Sequence, residues 1–197
     1  MNEQRIERTL KLTTMVGRAT LVALHRAIEA TKDIDGAYVE LGCHAGITTR
    51  YICETLQELE LDRKVFAFDS FKGVPAATRE DEGAKLEIPT GGCLTSRQTF
   101  DRTFANVDYP KPIVFEGWFE DTLPHNLPDE IAVAFLDGDR YESIKLSLES
   151  VLPKMAHGGF IVIHDYDKLT GAKKAVDERL EDFKAFGVDG NVCWALV

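Results

Sequence analysis

The sequence has few cysteines, and their spacing excludes two common kinds of small structural site. No C-x-x-C pair occurs among the four cysteines of the 197-residue chain, which are Cys43, Cys53, Cys93 and Cys193. The chain therefore has neither the ligand spacing of a zinc knuckle nor the cysteine pattern of a disulfide scaffold. We expect reduced thiols, packed for the most part inside the protein.

Positive charge is also scarce, and this limits the macromolecules that the chain can bind. Acidic residues number 33 against 23 basic ones, which gives a formal net charge of −10. Such a balance repels polyanions, and no basic run offsets it. No apolar stretch reaches the length of a membrane span, and the first residues, 1–8, are charged. We predict a cytoplasmic protein that binds neither nucleic acid nor membrane.

Patterns typical of buried strands and of helices alternate along the chain. Apolar residues recur at helical spacing over 6–28, which predicts one or two helices ahead of the first strand. The predicted strands are 38–41, 65–68, 113–116, 131–136 and 160–163, and the later helices are 48–59, 96–104, 141–151 and 171–183. Apolar strands separated by helices form a parallel sheet covered on both faces. We predict one α/β domain over 1–197, doubly wound and mostly parallel, with a helical segment 1–35 before the core 36–197.

The first predicted strand runs into a glycine turn. Gly46 follows Gly42 by four positions, so the G-x-G-x-x-G spacing of a dinucleotide site is absent. At such a strand end the carboxylate of Glu40 can hold an ammonium group, and Gly42 allows a ligand to approach the backbone. We predict a cofactor at this turn, contacted by Glu40, Gly42, Cys43 and Gly46.

Each predicted strand ends at or next to an ionisable residue. These strand ends are Glu40, Asp69, Glu116, Asp137 and the pair His164-Asp165. In doubly wound sheets ligands bind beyond the carboxyl ends of the strands, so the set marks one face as a polar site. Asp69 can accept hydrogen bonds from a ribose diol, because a carboxylate takes two hydroxyl donors at once.

The fourth and fifth strands carry the residues best suited to chemistry. Asp137 and Asp139 flank a glycine after the fourth strand, and His164 and Asp165 end the next one. Neighbouring strand ends converge, and these side chains suit magnesium, manganese or iron. Two alternatives stay open: a helix cap for one of the two aspartates, and a histidine satisfied by backbone for His164. The other named histidines, expected to be structural or solvated, are His25, His44, His125 and His157.

Two further segments are candidates for ligand contact. The irregular stretch 72–95 is longer than an ordinary connection, which indicates a loop or lid on the substrate side, with an inert surface insertion as the alternative. Trp118 and Phe119 can flank an adenine ring, although aromatic residues more often pack in a core.

Together these motifs resemble the class I S-adenosylmethionine-dependent methyltransferases, and more narrowly the macrocin O-methyltransferase family, which methylates sugar hydroxyls in bacterial natural products. The blocks that carry the resemblance are Phe68–Pro75, Gly117–Pro124, Leu136–Ser143 and Lys174–Glu178. The resemblance implies S-adenosylmethionine as cofactor, with its methionine end near Glu40 and Gly42 and its ribose on Asp69. The full set of expected cofactor residues is Glu40, Gly42, Cys43, Gly46, Asp69, Ser70, Trp118 and Asp137.

The same resemblance implies a divalent metal, expected to be Mg²⁺, and a small-molecule hydroxyl as methyl acceptor. The expected ligands are Asp137, Asp139, His164 and Asp165, with Asp139 and His164 as catalytic residues. His164 stands where the family has a second acid, and imidazole suits magnesium less well than carboxylate does. Because the chain is short for that family, we expect part of the lid or of the final strand pair to be absent.

Three other interpretations remain open on the sequence alone. The first is a metal-independent methyltransferase in which His164 is the base. A dinucleotide-dependent oxidoreductase would use the acid after the second strand equally well, although the third glycine is missing. The last is a non-catalytic relative that binds cofactor and a partner protein. A homodimer through the amphipathic N-terminal helix is a further expectation.

Overall fold

A seven-stranded sheet organises the computed structural model, which describes residues 1–197. The strands are β1 (Ala37–Leu41), β2 (Val65–Asp69), β3 (Ile113–Glu116), β4 (Ile131–Leu136), β5 (Met155–Ile163), β6 (Ala185–Asp189) and β7 (Val192–Leu196). The α-helices are α1 (Glu3–Leu12), α2 (Arg18–Ala30), α3 (Ile47–Glu58), α4 (Arg97–Thr103), α5 (Phe119–Thr122), α6 (Tyr141–Val151) and α7 (Thr170–Asp177). Short 3-10 turns cover 79–81, 152–154 and 180–182.

The strand order places the two central strands at a change of winding direction. The order is β3-β2-β1-β4-β5-β7-β6, and the first five strands along the chain pair in parallel. The chain moves outward from β1 to β2 and β3, and then returns to place β4 on the other side of β1. The carboxyl ends of β1 and β4 therefore border the crevice where such sheets bind ligands. The prediction of a doubly wound, mostly parallel sheet is confirmed.

Burial on both faces explains why the central strands are so apolar. Every residue of β1 and β4 is buried. One apolar cluster joins the sheet to α2 and α3, and a second joins the opposite face to α6 and α7. All four cysteines are free, and three of them are buried. The prediction of reduced, mostly packed thiols is thus confirmed.

The N-terminal segment forms two helices that pack against the rest of the chain. Asn2 caps α1, and the buried Arg5 side chain donates to the Thr55 hydroxyl of α3 at 2.7 Å. Leu21, Leu24 and other apolar residues of α2 enter the same core cluster as the sheet. None of the helices combines the length and the apolar character that crossing a membrane requires.

The C-terminal part of the fold differs from the sequence prediction in two respects. The helix predicted over 171–183 ends at Asp177, and a 3-10 turn follows it. The expectation of a missing final strand pair is wrong, because β6 and β7 form an antiparallel hairpin. β7 also pairs with β5, so its residues Val192, Cys193 and Ala195 complete the core.

This hairpin provides a matched test of the core. Val192 is fully buried, whereas Val188 on the adjacent strand is 49% exposed. Val192→Ala should lower the free energy of unfolding by about 2 kcal/mol, because it removes two buried methyl groups. Val188→Ala should change it by well under about 1 kcal/mol. Urea unfolding of both variants measures the difference, and equal effects would contradict the assignment of β7 to the core.

Candidate active site

A cavity of about 420 Å³ opens beyond the carboxyl ends of β1, β2, β4 and β5. Four aspartates line it, and each follows or ends one of these strands: Asp69, Asp137, Asp139 and Asp165. Glu116, at the end of the edge strand β3, is exposed and lies outside the wall. The strand-end acids that line the cavity therefore come from the ends of β2, β4 and β5 and not from β3.

The turn after β1 needs glycine at its first position. Gly42 has a φ of +95°, and its N–H donates to the Phe68 carbonyl at 2.9 Å. The Asp137 N–H donates to the Leu41 carbonyl at 2.8 Å, which brings the ends of β1 and β4 together. A Cβ at position 42 would collide with the Asp137 carbonyl oxygen. The backbone of Asp137 occupies the place that a side chain at position 42 would need, so only glycine fits there. Gly42 is also part of the cavity wall.

Three of the predicted cofactor residues lie behind the cavity wall rather than in it. Glu40 is buried and accepts a hydrogen bond from the Thr49 hydroxyl. Cys43 packs in the core, and a Cβ at Gly46 would lie 2.8 Å from the Phe100 ring. None of the three lines the cavity that the other predicted cofactor residues share. Successive side chains of a strand point to opposite faces of the sheet, and none points along the strand. The Glu40 side chain therefore points to the face that α3 covers.

Asp69 sits at the end of β2 with both carboxylate oxygens directed by backbone donors. Oδ2 accepts the His44 N–H at 2.7 Å, and Oδ1 accepts the Phe71 N–H at 2.7 Å. Burial raises the pKa of Asp69, and these two hydrogen bonds oppose that rise. The carboxylate lines the cavity, and its remaining lone pairs can accept further donors. Asp69 is thus held as a fixed acceptor.

Several other wall residues come from the turns around Asp69. Ser70 and Trp118, which were both predicted to contact the cofactor, line the cavity. Phe119 lies beside Trp118 in the same wall. His44, which was expected to be structural or solvated, is partly exposed and also lines the cavity. The signal was present in the sequence, since His44 falls within the glycine turn.

A second group of side chains forms at the ends of β4 and β5. Asp137, His164 and Asp165 each offer a ligand atom, and these atoms lie within 4.8 Å of one another. The Nδ1 atom of His164 is 2.9 Å from Asp137 Oδ1 and 3.5 Å from Asp165 Oδ2. Asp139, the fourth predicted metal ligand, lies outside this group. The side-chain amide of Asn191 donates to Asp165 from the turn between β6 and β7.

The clustered carboxylates shift the pKa values of their neighbours. Burial alone would lower the pKa of His164, but Asp137, Asp165 and Asp139 outweigh it and raise the pKa to about 9. Burial, together with the charges of Asp137 and Asp165, raises the pKa of Asp139 to about 8. At neutral pH the imidazolium is therefore favoured, and Asp139 titrates near the range where a general base is useful.

Neither aspartate of the turn after β4 caps the following helix. The N-cap residue of α6 is Arg140, and its side chain makes no capping bond. The Tyr141 N–H instead donates to Asp81 Oδ1 at 2.9 Å, from the loop after β2. The helix-cap alternative for Asp137 and Asp139 is therefore wrong, and both carboxylates face the cavity.

Left-handed backbone is concentrated around the cavity. Six residues other than glycine have positive φ, and four of them line the wall: His44, Cys93, Asp139 and Asp165. Such conformations cost free energy for residues with a Cβ, and they cluster where a surrounding structure holds functional groups in place. The turns that carry Asp139 and Asp165 are of this kind.

The long loop after β2 forms one side of the cavity. Its wall residues are Gly73, Val74, Pro75, Leu86, Ile88 and Cys93. The alternative of an inert surface insertion is therefore wrong, because these residues form part of the cavity wall. Thr14 and Met15, between α1 and α2, also line the cavity, as does Lys168. No sequence motif identified these three, since each reaches the site through tertiary packing.

Comparison with known proteins identifies the family of this chain. Residues 6–186 match the model of the Macrocin-O-methyltransferase (TylF) family. The chain belongs to this family. It is 32% identical over 174 residues to demethyldecarbamoylnovobiocin O-methyltransferase of Streptomyces niveus, which covers 84% of the chain and 66% of that relative. It is 30% identical over 176 residues to mycinamicin III 3''-O-methyltransferase of Micromonospora griseorubida, covering 84% and 69% respectively.

The chain spans about two thirds of the length of these curated relatives of the macrocin O-methyltransferase family. Among solved structures, the O-methyltransferase NovP superposes with a TM-score of 0.81 and 28% identity, covering 93% of this chain and 81% of NovP. The calicheamicin methyltransferase CalS11 gives a TM-score of 0.71 at 16% identity, covering 98% and 91%, and this likeness is one of fold.

The buried Glu40 gives this family member a testable dependence of stability on pH. Burial raises its pKa from 4.5 to about 8, so the folded state keeps a proton that the unfolded chain loses. The stabilising contribution of this carboxyl is therefore complete below the unfolded pKa and falls as pH rises towards 8. Glu40→Gln cannot ionise, so its stability relative to the parent should rise by about 1 kcal/mol per pH unit across that window.

Urea unfolding at a series of pH values from 4.5 to 8 measures this difference for the ligand-free protein. Glu149→Gln, at an exposed position, is the control for the loss of one acidic side chain. A difference between Glu40→Gln and the parent that stays constant over the series would contradict a buried, protonated Glu40.

Proposed function

We propose that the protein is an S-adenosylmethionine-dependent O-methyltransferase that acts on a hydroxyl of a small molecule, a sugar or a natural-product intermediate. The observation that carries the proposal is the cavity at the β1–β4 crevice, with a fixed carboxylate on one side and a carboxylate of raised pKa on the other. Membership of the macrocin O-methyltransferase family supports it. So do the names of the relatives, which describe O-methylation of demethyldecarbamoylnovobiocin and mycinamicin III.

The residues present fit the cofactor. Gly42 adds no side chain to the cavity wall, so a ligand can approach the backbone of this turn closely. Asp69 is the proposed acceptor for the ribose hydroxyls, with Ser70 beside it and Trp118 positioned for the adenine. Asp137 closes the methionine side. Glu40 supports this turn from behind through Thr49 and makes no direct contact in our proposal.

The chemistry assigned to the protein is positioning and proton removal. When bound, the cofactor supplies a methyl group that carries positive character and is open to attack by a hydroxyl. Asp139 is the proposed proton acceptor, because it lines the cavity and burial raises its pKa to about 8. His164 already holds a proton towards Asp137 at 2.9 Å, so we assign it to orienting Asp137 in preference to acting as base. Holding two reactants in line can lower a barrier by on the order of 7–11 kcal/mol.

The residues also fit a divalent cation, which we include in the proposal. Asp137, His164 and Asp165 would hold it, since their ligand atoms already lie within 4.8 Å of one another. When bound, such an ion would lower the pKa of the acceptor hydroxyl. An imidazole among the ligands favours manganese or iron over magnesium more than an all-carboxylate set would.

A metal-independent site is the second candidate. The observation that favours it is the Nδ1 atom of His164, which lies between the Asp137 and Asp165 carboxylates at 2.9 and 3.5 Å. Its raised pKa keeps a positive charge there at neutral pH. A protonated imidazole in this position neutralises carboxylates that would otherwise be available to hold a metal.

Replacement of Asp139 separates cofactor binding from turnover. Asp139→Asn should lower kcat by about 10²–10⁴-fold, the range for loss of a general base. Binding of S-adenosylhomocysteine should persist, because Asp69, Ser70 and the Gly42 turn are unchanged. Calorimetry measures the binding, and methyl transfer to a glycosylated natural product measures the rate. Asp121→Asn, an exposed acid outside the cavity, is the matched control. Loss of binding and turnover together would contradict these separate roles.

Replacement of His164 distinguishes the two candidates. His164→Asp replaces the imidazole with a third carboxylate and should raise the affinity for Mg²⁺ by about tenfold or more. Thermal unfolding with Mg²⁺ or Mn²⁺ alone measures this without any activity assay, because a bound ion raises the Tm. The parent should respond to Mn²⁺ more than to Mg²⁺. The matched control is His157→Asp, at an exposed position. A parent that responds to neither ion would favour the metal-independent site.

A further inference from the structure

The loop after β2 is fixed to the turn that carries Asp139 by one buried arginine. Arg140 follows Asp139 directly, and it is only 6% exposed. Its Nε atom donates to the Pro75 carbonyl at 3.3 Å, and its Nη2 atom donates to the Ile88 carbonyl at 2.5 Å. These two carbonyls belong to opposite arms of the loop. Arg140 therefore links the two arms of the loop to each other.

Other hydrogen bonds show that the loop is a folded unit rather than a free flap. The Val74 N–H donates to the Gly92 carbonyl at 2.8 Å, and the Gly91 N–H donates to the Val74 carbonyl at 2.8 Å. Asp81, at the loop's centre, accepts from the Tyr141 N–H at 2.9 Å. The loop is thus held by the guanidinium of Arg140, which donates to two of its carbonyls, and by its own Asp81 carboxylate, which accepts from the Tyr141 N–H. A guanidinium suits this place because its separated donors can reach two carbonyls at once.

The anchored loop presents apolar residues to the same cavity as the proposed base. Val74, Pro75, Leu86 and Ile88 line the cavity, and two of them supply the carbonyls that Arg140 holds. Arg140 itself is not part of the cavity wall. Because Arg140 is covalently adjacent to Asp139, its two hydrogen bonds tie the loop to the turn that carries this carboxylate. The geometry connects the shape of the acceptor side with the position of the base.

We propose that Arg140 is a positioning residue that fixes the loop 72–95 in register with Asp139 and thereby sets which acceptors fit. The acceptor part of this proposal rests on the proposed methyltransferase function, whereas the anchoring part does not. Loss of the anchor should loosen the loop and weaken acceptor binding. The cofactor side, built on Gly42, Asp69 and Ser70, should be left intact.

The experiment compares Arg140→Met, Arg140→Lys and the parent by amide hydrogen exchange in the ligand-free protein. Arg140→Met removes both donors, whereas Arg140→Lys keeps the charge but offers one nitrogen in place of two. Exchange at Val74 and Gly91, whose N–H groups close the loop, should rise several-fold in Arg140→Met and less in Arg140→Lys. Exchange in β1 and β4 should not change. Arg97→Met, which removes an exposed arginine paired with Asp101, is the control.

Two further measurements separate positioning from general stability. Calorimetry with S-adenosylhomocysteine should give unchanged affinity in both variants, whereas KM for an accepted glycoside should rise and the preference between small and bulky acceptors should relax. Unchanged exchange at Val74 and Gly91 would overturn the proposal, as would exchange raised equally throughout the sheet. Where Arg140→Met does not fold, Arg140→Lys decides between these outcomes. If the parent itself binds no S-adenosylhomocysteine, the proposed function fails, and the exchange data still decide whether Arg140 anchors the loop.

Discussion

The burial of several carboxylates around one cavity is the constraint on which the rest of the site depends. Asp69, Asp137, Asp139 and Asp165 all line the same space, and their mutual repulsion in a poorly solvated setting must be offset. The offset differs among them. Asp69 accepts backbone N–H groups. Because the neutralising partners of the four acids differ, Asp69 acts as a fixed acceptor, Asp137 and Asp165 are paired with His164, and Asp139 has a raised pKa.

The backbone makes this arrangement possible. The β1–β4 junction is closed by the bond from Asp137 N–H to the Leu41 carbonyl, and only a glycine at position 42 leaves space for it. The left-handed conformations of Asp139 and Asp165 direct their side chains towards the cavity instead of continuing each strand. The surrounding sheet and helices are fully packed and can hold such turns.

His164 is the residue that separates this chain from the expectation for its family. An all-carboxylate pair would leave a space that calls for a cation, whereas the imidazole of His164 supplies its own charge between Asp137 and Asp165. The same residue remains able to coordinate a metal once it is deprotonated. In the proposed function, His164 therefore determines how strongly the site would depend on an external ion. The loop after β2 is held by other residues, through the hydrogen bonds of Arg140 and Asp81.

The sequence by itself determined the parallel sheet and the position of Asp69, Asp137, His164 and Asp165 at its carboxyl edge. An apolar run must be buried, and the polar residue that follows it must therefore lie at a strand end. Only the tertiary structure decided that Glu40 lies behind the wall, that Asp139 stands apart from the three ligand atoms, and that Asn191 and Met15 reach the site. It also decided that β6 and β7 complete the sheet. These features depend on which strands become neighbours and on contacts between distant segments, and a local pattern of residue types carries neither.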